Sequence, residues 1–209
     1  FFSEPLTKEV FIRRGKKVKA FLNETLSTVV FVVVAIIFIK LFFFEIRWIP
    51  SASMHPTLIE GDRVFVNTAQ QYKTPKRGDI MIFYPPGVIL ENTPIKIFSR
   101  LTGFFCKDIA YIKRVIGLPG ETIEVKPDKK GLYKVYINGN MLEETYIKNP
   151  LSYTECTEKM YCGPLTLGND EYFMMGDNRG NSQDSRYWGP LKQKRFIGKA
   201  SFVFRLHKL

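Results

Sequence analysis

Histidine is almost missing from this 209-residue chain, which has only His55 and His207. Cysteine is scarce too, with Cys106, Cys156 and Cys162, and no group of these five side chains has zinc-ligand spacing. A His/Cys metal centre is therefore excluded. A Ser-His-Asp triad is poorly supplied as well. His207 reads as a solvated tail residue, and His55 stands two positions from Ser53 and before Pro56, which holds it extended. Acidic residues are outnumbered 20 to 31 by basic ones, leaving a net charge of +11. Nucleic acid or an anionic membrane surface would each be drawn to such a chain. There are no internal repeats and no low-complexity tracts. Long apolar runs are lacking with a single exception, and that exception favours the membrane over nucleic acid.

The exception is LSTVVFVVVAIIFIKLFFF, residues 26–44, whose one charge is Lys40. A bilayer core takes about 20 apolar residues as a helix. Lys40 stands near the far end, where its stem can reach the interface, and Trp48 follows as an interfacial aromatic. The run is apolar all round, which disfavours a buried core helix. A cleaved secretory signal is the rival, with Ser51-Ala52-Ser53 as its small-x-small site. An h-region spans about 7–15 residues, however, and this run is longer. We read a retained anchor over 26–44 behind a basic tail over 1–25. The basic stretch RRGKKVK (13–19) should stay cytoplasmic, which puts the rest of the chain outside. The expected place is the inner (plasma) membrane, crossed once, with the body on the outer or periplasmic side.

Beyond the anchor the pattern is one of short strands and turns. DRVFVN (62–67), GDIMIFY (78–84), YIKRVI (111–116), ETIEV (121–125), EYFMMGD (171–177) and FIGKASFVFRL (196–206) alternate or run apolar between turn residues. LYKVYINGNML (132–142) carries Asn138-Gly139 between two short runs, the signal of a type I′ hairpin. No helical periodicity competes. The expected fold is mainly β, a β-barrel or sheet assembly with one N-terminal transmembrane helix. Its core spans 45–121 and 169–209, and 122–168 forms an inserted lobe. Residues 86–107 read as a second insertion, either a surface hairpin whose apolar residues touch lipid or ordinary core. Cys156 and Cys162 flank a polar loop, where a disulfide in an oxidising compartment and free thiols both fit.

Three stretches are dense enough in reactive groups to carry chemistry. In IPSASMHPTL (49–58), Pro50 and Pro56 stiffen the backbone around Ser51 and Ser53. A serine nucleophile needs a base within hydrogen-bond reach and donors for the oxyanion. Lysine can replace histidine as that base if it is neutral. Its ordinary pKa is about 10.4, and burial lowers it by as much as about 3–5 pH units. Lys113, within YIKRVI, is the candidate; alternation puts it on one strand face with Tyr111, opposite Ile112 and Arg114. An exposed strand lysine is the ordinary alternative. The third stretch, GDNRGNSQDSRYWGP (176–190), fails as a calcium loop, because Arg179 takes the third position from Asp177 and no Glu stands at the twelfth. It suits a polar network instead. Asp184 or Asp177 could pair with Arg186, and Ser182 or Ser185 could hydrogen-bond an amine.

Taken in order and downstream of an anchor, SASMHPTL, YIKRVIGLPGE and GDNRGNSQDSRYWGP resemble bacterial signal peptidase I, the membrane-anchored Ser-Lys leader peptidase. RGDIMIF (77–83) looks like a further family segment, and the resemblance spans roughly residues 45–205. It implies a signal-peptidase-like β assembly and a serine endopeptidase that removes signal peptides from exported preproteins, cutting after small residues of Ala-x-Ala type, with no cofactor and no metal. Ser53 would be the nucleophile and Lys113 the general base. The Ser51 hydroxyl would join the Ser53 N–H at the oxyanion, and Ser182 would orient the lysine amine. Asp184 and Arg186 would brace the site. Ile49, Pro50, Met54, Leu58, Tyr111 and Ile112 would line shallow pockets. The partners implied are signal-peptide-bearing preproteins and membrane lipid, not nucleic acid. Gly180 departs from the many members that have an acidic residue there, which puts a local ion pair in doubt. Many members also carry two anchors, where one is visible here. The competing readings are a specialised processing peptidase for one secreted or conjugation protein, a relative of the self-cleaving repressors, and a noncatalytic tethered β-domain. The anchor argues against the repressor.

Overall fold

The computed structural model describes residues 8–42, 44–89, 93–94, 109–147, 156–157 and 159–205. The chain divides into two compact units, 1–41 and 42–209. The first holds helix α1, Lys8–Phe42, but for its last residue. Within it, Lys16–Ile36 is long and apolar enough to cross a membrane, and none of its apolar window is buried by protein. Its 21 residues rise about 30 Å, the thickness of a hydrocarbon core. The hydroxyls of Thr25 and Thr28 bond back to the carbonyls of Phe21 and Glu24, so these polar groups are satisfied inside the helix. The helix takes in much of the expected basic tail. It also stops short of the expected anchor end, because Phe44 pairs with Asn67 as the first residue of a strand.

The second unit is mainly β, as expected. Its elements are β1 (Phe44–Trp48), β2 (Arg63–Asn67), β3 (Ile80–Phe83), β4 (Tyr111–Gly117), β5 (Thr122–Pro127), β6 (Tyr133–Ile137), β7 (Asn140–Met141), β8 (Leu165–Thr166), β9 (Glu171–Met175), the single helical turn α2 (Ser185–Trp188), β10 (Leu191–Lys192) and β11 (Phe196–Phe204). A seven-stranded antiparallel sheet runs β1-β2-β11-β3-β4-β9-β10, and a four-stranded one runs β7-β6-β5-β8. Asn138 and Gly139 both adopt positive φ between β6 and β7, giving the expected two-residue hairpin. Strands β1, β8 and β10 and turn α2 are additions to the sequence reading. Two-residue ladders and one helical turn have no periodicity to read, and β1 is hidden by the apolar run before it. Most of the proposed 86–107 insertion, with Cys106, lies outside the described residues.

Both faces of the central strands are covered, which is why their sequences run apolar rather than alternating with charge. Ile82 and Ile112 pack with Ile49, Met54, Leu58, Val64 and Val66. Met81, Phe83 and Val115 pack with Tyr172, Met174, Leu191 and Phe196. The small sheet joins the large one through Ile116, Phe173 and Met175 against Ile123, Val125, Val135 and Leu167. A Cys156–Cys162 disulfide closes the end of the lobe, with Cys162 in that same core. At the other end of the large sheet, β1 and β11 show apolar side chains to solvent on either side of β2. Ile46, Phe65 and Phe202 stand in register, as do Trp48, Arg63 and Phe204. Ile46, Trp48, Phe202 and Phe204 are all more than half exposed.

Gly198 sits where β11 passes between β2 and β3. A Cβ there would lie 2.6 Å from the Asn67 carbonyl oxygen and 2.8 Å from a Val66 methyl. Backbone cannot yield as a side chain can, so Gly198→Ala is expected to lower unfolding stability by about 1–3 kcal/mol in a urea titration.

Candidate active site

Ser53 lies in a single 3₁₀ turn, Ala52–Met54, directly after the extended Ser51. The turn is fixed from below by Met54, Ile49 and Leu58, which are core residues at 0%, 2% and 0% exposure. It is fixed from the side by Asn178, whose backbone N–H donates to the Ser53 carbonyl at 3.1 Å and whose Nδ2 donates to the Ala52 carbonyl at 3.1 Å. Strand β4 brings up Lys113 opposite Met81 of β3. Lys113 shares a strand face with Tyr111, and its Nζ is 5.6 Å from that ring's centroid. The amine donates to Ser53 Oγ at 2.7 Å across 60 residues of sequence.

Lys113 is 5% exposed and Ser53 8%. Burial pulls the Lys113 amine down to about 8, against the charges of Asp184 and Asp177, which favour the cation; Arg186 adds to the lowering. Ser51 Oγ lies 3.4 Å from Ser53 Oγ at the open side. A cleft over the pair is lined by Pro50, Ser51, Ser53, Ile109, Ala110, Tyr111, Ile112, Lys113, Asn181 and Gln183. The contact unites a hydroxyl, an amine that is easily neutral, and an open apolar approach.

The sequence candidates divide into three groups. Ser51, Ser53, Lys113, Pro50, Tyr111 and Ile112 meet at the cleft. Ile49, Met54 and Leu58, expected to line pockets, lie in the core instead and are not among the cleft's lining residues. They share a core cluster with Val64, Val66, Ile82 and with Ile112, which also lines the cleft. Asp184 and Arg186 form a buried pair, Nε to Oδ1 at 2.8 Å and Nη2 to Oδ2 at 2.9 Å. Asp184 also accepts from the Gly176 N–H, and Arg186 donates to the Arg179 carbonyl. Ser182 is buried, but its Oγ makes no hydrogen bond and so does not bond the Lys113 amine in this structure. It sits against Gly176, where a Cβ would fall 2.2 Å from that oxygen and 2.5 Å from the Ser53 carbonyl oxygen. Only glycine allows this approach of the loop to the serine.

Sequence reasoning missed several members. Asp177 pairs with Arg114, not Arg186, at 2.6 and 2.8 Å, and Thr57 donates to the same carboxylate. Strand alternation held the clue, since it sets Arg114 on the face opposite Lys113. Asn178 carried no signal of its contact with the Ser53 turn, and Glu144, which pairs with Arg179, stood outside every motif.

A family model described as "Signal peptidase, peptidase S26" matches residues 22–205. A signal peptidase I of Leptolyngbya laminosa is 38% identical over 184 residues, 88% of this chain and 79% of that one. Signal peptidase I T of Bacillus subtilis is 35% identical over 194 residues, 90% of this chain and 88% of its own. A solved signal peptidase I from Enterococcus faecalis is 31% identical with a TM-score of 0.41, covering 62% of this chain and 98% of that one. The serine turn, the lysine strand and the polar loop all fall within the matched residues, and the chain belongs to the signal peptidase family, peptidase S26.

Proposed function

We propose that this enzyme removes N-terminal signal peptides from exported preproteins, as a membrane-anchored serine endopeptidase that uses a Ser53–Lys113 dyad and cuts after small residues of Ala-x-Ala type. The observation that carries the reading is the 2.7 Å contact between Ser53 Oγ and a nearly buried lysine amine beneath an open cleft. The names of the relatives support the substrate class.

With the amine neutral, the Ser53 hydroxyl donates to Nζ. Lys113 takes the proton as Oγ bonds to the scissile carbonyl carbon. The oxyanion is met by the Ser51 hydroxyl and the Ser53 N–H. The lysine ammonium then protonates the leaving amine as the C–N bond breaks, and the preprotein body departs. Water, deprotonated by Lys113, hydrolyses the acyl-enzyme and returns the proton to Ser53. Asp184 and Arg186 hold the loop beside the lysine. Ser182 is retained as the amine's orienting partner because its hydroxyl is buried next to the Ser53 turn and otherwise uncommitted.

The membrane reading rests on α1 and on the chain's charge. The basic N-terminal segment stays cytoplasmic and the catalytic body lies outside. Ser53 follows the last helical residue, Phe42, by eleven positions, which keeps it close to the anchor along the chain. The exposed apolar side chains of β1 and β11 suit contact with lipid.

A detergent-solubilised preparation should cut a precursor bearing an Ala-x-Ala site, with the new N-terminus found by sequencing. Ser53→Ala and Lys113→Ala should each abolish the cut while the circular dichroism spectrum stays that of wild type. Wild-type turnover by either variant would remove that residue from the mechanism. The rate constant kcat/KM should climb with pH through about 8, the titration of Lys113. An acid limb below pH 5 alone would instead point to a carboxylate base.

The same lysine leaves a mark on stability. Its folded pKa lies below the unfolded value, so at neutral pH both states carry the proton and the buried cation opposes folding. Between about 8 and about 10.4 only the unfolded chain keeps the proton, and stability rises with pH. Lys113→Met is expected to be more stable than wild type at pH 7 by on the order of 1–3 kcal/mol. The gap should narrow above pH 8 in chemical denaturation run across that range.

A further inference from the structure

Among the described residues, the small-sheet lobe reaches the polar loop beside Ser53 at two places: the Tyr161 N–H donates to the Arg186 carbonyl at 2.7 Å, and the Glu144 carboxylate meets Arg179. Glu144 follows β7, and its two oxygens face the Arg179 guanidinium. Nη1 donates to Oε2 at 2.8 Å, and Nη2 donates to Oε1. The side chains are 0% and 5% exposed for Arg179 and Glu144. The remaining edge, Nε, donates to the Gly176 carbonyl at 3.0 Å. Arg179 is thus held between a carboxylate from the lobe and a carbonyl from the loop. The Tyr146 hydroxyl donates to the same Glu144 Oε1 at 2.7 Å. Its ring lies 4.0 Å from the guanidinium carbon of Arg114, the residue after Lys113. Burial first, and then the Glu144 charge, raise the Tyr146 phenol well above its usual range, so it remains a donor.

Arg179 is one residue from the atoms that hold the nucleophile. Asn178 donates from its backbone to the Ser53 carbonyl and from its side chain to the Ala52 carbonyl. The Arg179 carbonyl in turn accepts from Arg186 at 2.7 Å. Gly180 offers no carboxylate beside Arg179, and among the described residues Arg179 pairs with Glu144. We propose that Glu144 is a positioning residue: through Arg179 it fixes the Gly176–Asn178 backbone and thereby the aim of Ser53 at Lys113. On this view the lobe is part of the catalytic apparatus. The proposal rests on the Ser53–Lys113 reading above. A buried guanidinium stripped of its counter-charge turns to other acceptors or to water, and the backbone it holds moves with it. Small misplacements of a nucleophile are costly to rate and nearly neutral to substrate binding.

The test is steady-state cleavage of a fluorogenic peptide with an Ala-x-Ala site by the full chain in detergent. Wild type, Ser53→Ala and Glu144→Gln are compared, with circular dichroism and melting temperature measured for each. Glu144→Gln keeps the shape and removes the charge. The expected result is a folded variant whose kcat falls about 10- to 100-fold while KM stays within about threefold. An unchanged kcat, or a raised KM with kcat kept, overturns the proposal. Should Glu144→Gln fail to fold, Tyr146→Phe is read by the same split. A kcat loss of about three- to tenfold at constant KM supports the proposal, and wild-type kcat overturns it. Failure of both variants to fold also overturns it, since the pair is then a stability element. Absence of wild-type cleavage, or cleavage by Ser53→Ala, defeats the dyad reading and this inference with it. Wild-type cleavage with an unaffected Glu144→Gln defeats this inference alone.

Discussion

An amine that loses most of its water on folding is the constraint around which this molecule is organised. Lys113 projects from a strand covered on both faces, and burial makes its proton easy to give up near pH 8. The cost of burying the cation at neutral pH is offset in part by Ser53 Oγ at hydrogen-bond distance and by the charges of Asp184 and Asp177. Everything near it limits where those two groups can go. Strands β3 and β9 flank β4 on either side, and the core beneath the serine turn leaves no room for Ser53 to retreat.

Charge is handled differently a few ångströms away. Arg114 with Asp177, Arg179 with Glu144 and Arg186 with Asp184 are each paired with their side chains almost entirely covered. Buried ion pairs of this kind contribute little to net stability, since desolvation offsets the attraction, but breaking one is strongly unfavourable. Their value lies in fixing geometry. The three guanidiniums also take backbone carbonyls: Gly78 by Arg114, Gly176 by Arg179, and Arg179 by Arg186. From Gly176 to Asp184, ahead of α2, the loop has one 3₁₀ turn, Arg179–Asn181, as its regular structure, and this web braces the rest.

The sequence disclosed what depends on local pattern. Each strand read from alternation is present with its ends moved by a residue or two, and the Asn138-Gly139 turn is where its residue types placed it. The meeting of Ser53 with Lys113 was legible only through the resemblance of three stretches, because no local rule says that residues 60 positions apart will touch. Ile49, Met54 and Leu58 show the limit of such transfer. Their apolar character was plain, yet whether they face a cleft or a core depends on the fold of the chain around them. Asp177 shows another, for its partner was set by which face of β4 looks toward the loop. Glu144 gave no warning at all. A single carboxylate in a lobe outside the motifs becomes meaningful only once the two sheets are placed together.

The exposed apolar side chains of β1 and β11 belong to the folded body itself. Four side chains more than half bare on one run of adjacent strands give that body an oily flank of its own. Cutting away the helix would therefore not yield a well-behaved aqueous protein. The truncated form would still hold this flank against water, and such surface favours self-association or a cover of surfactant.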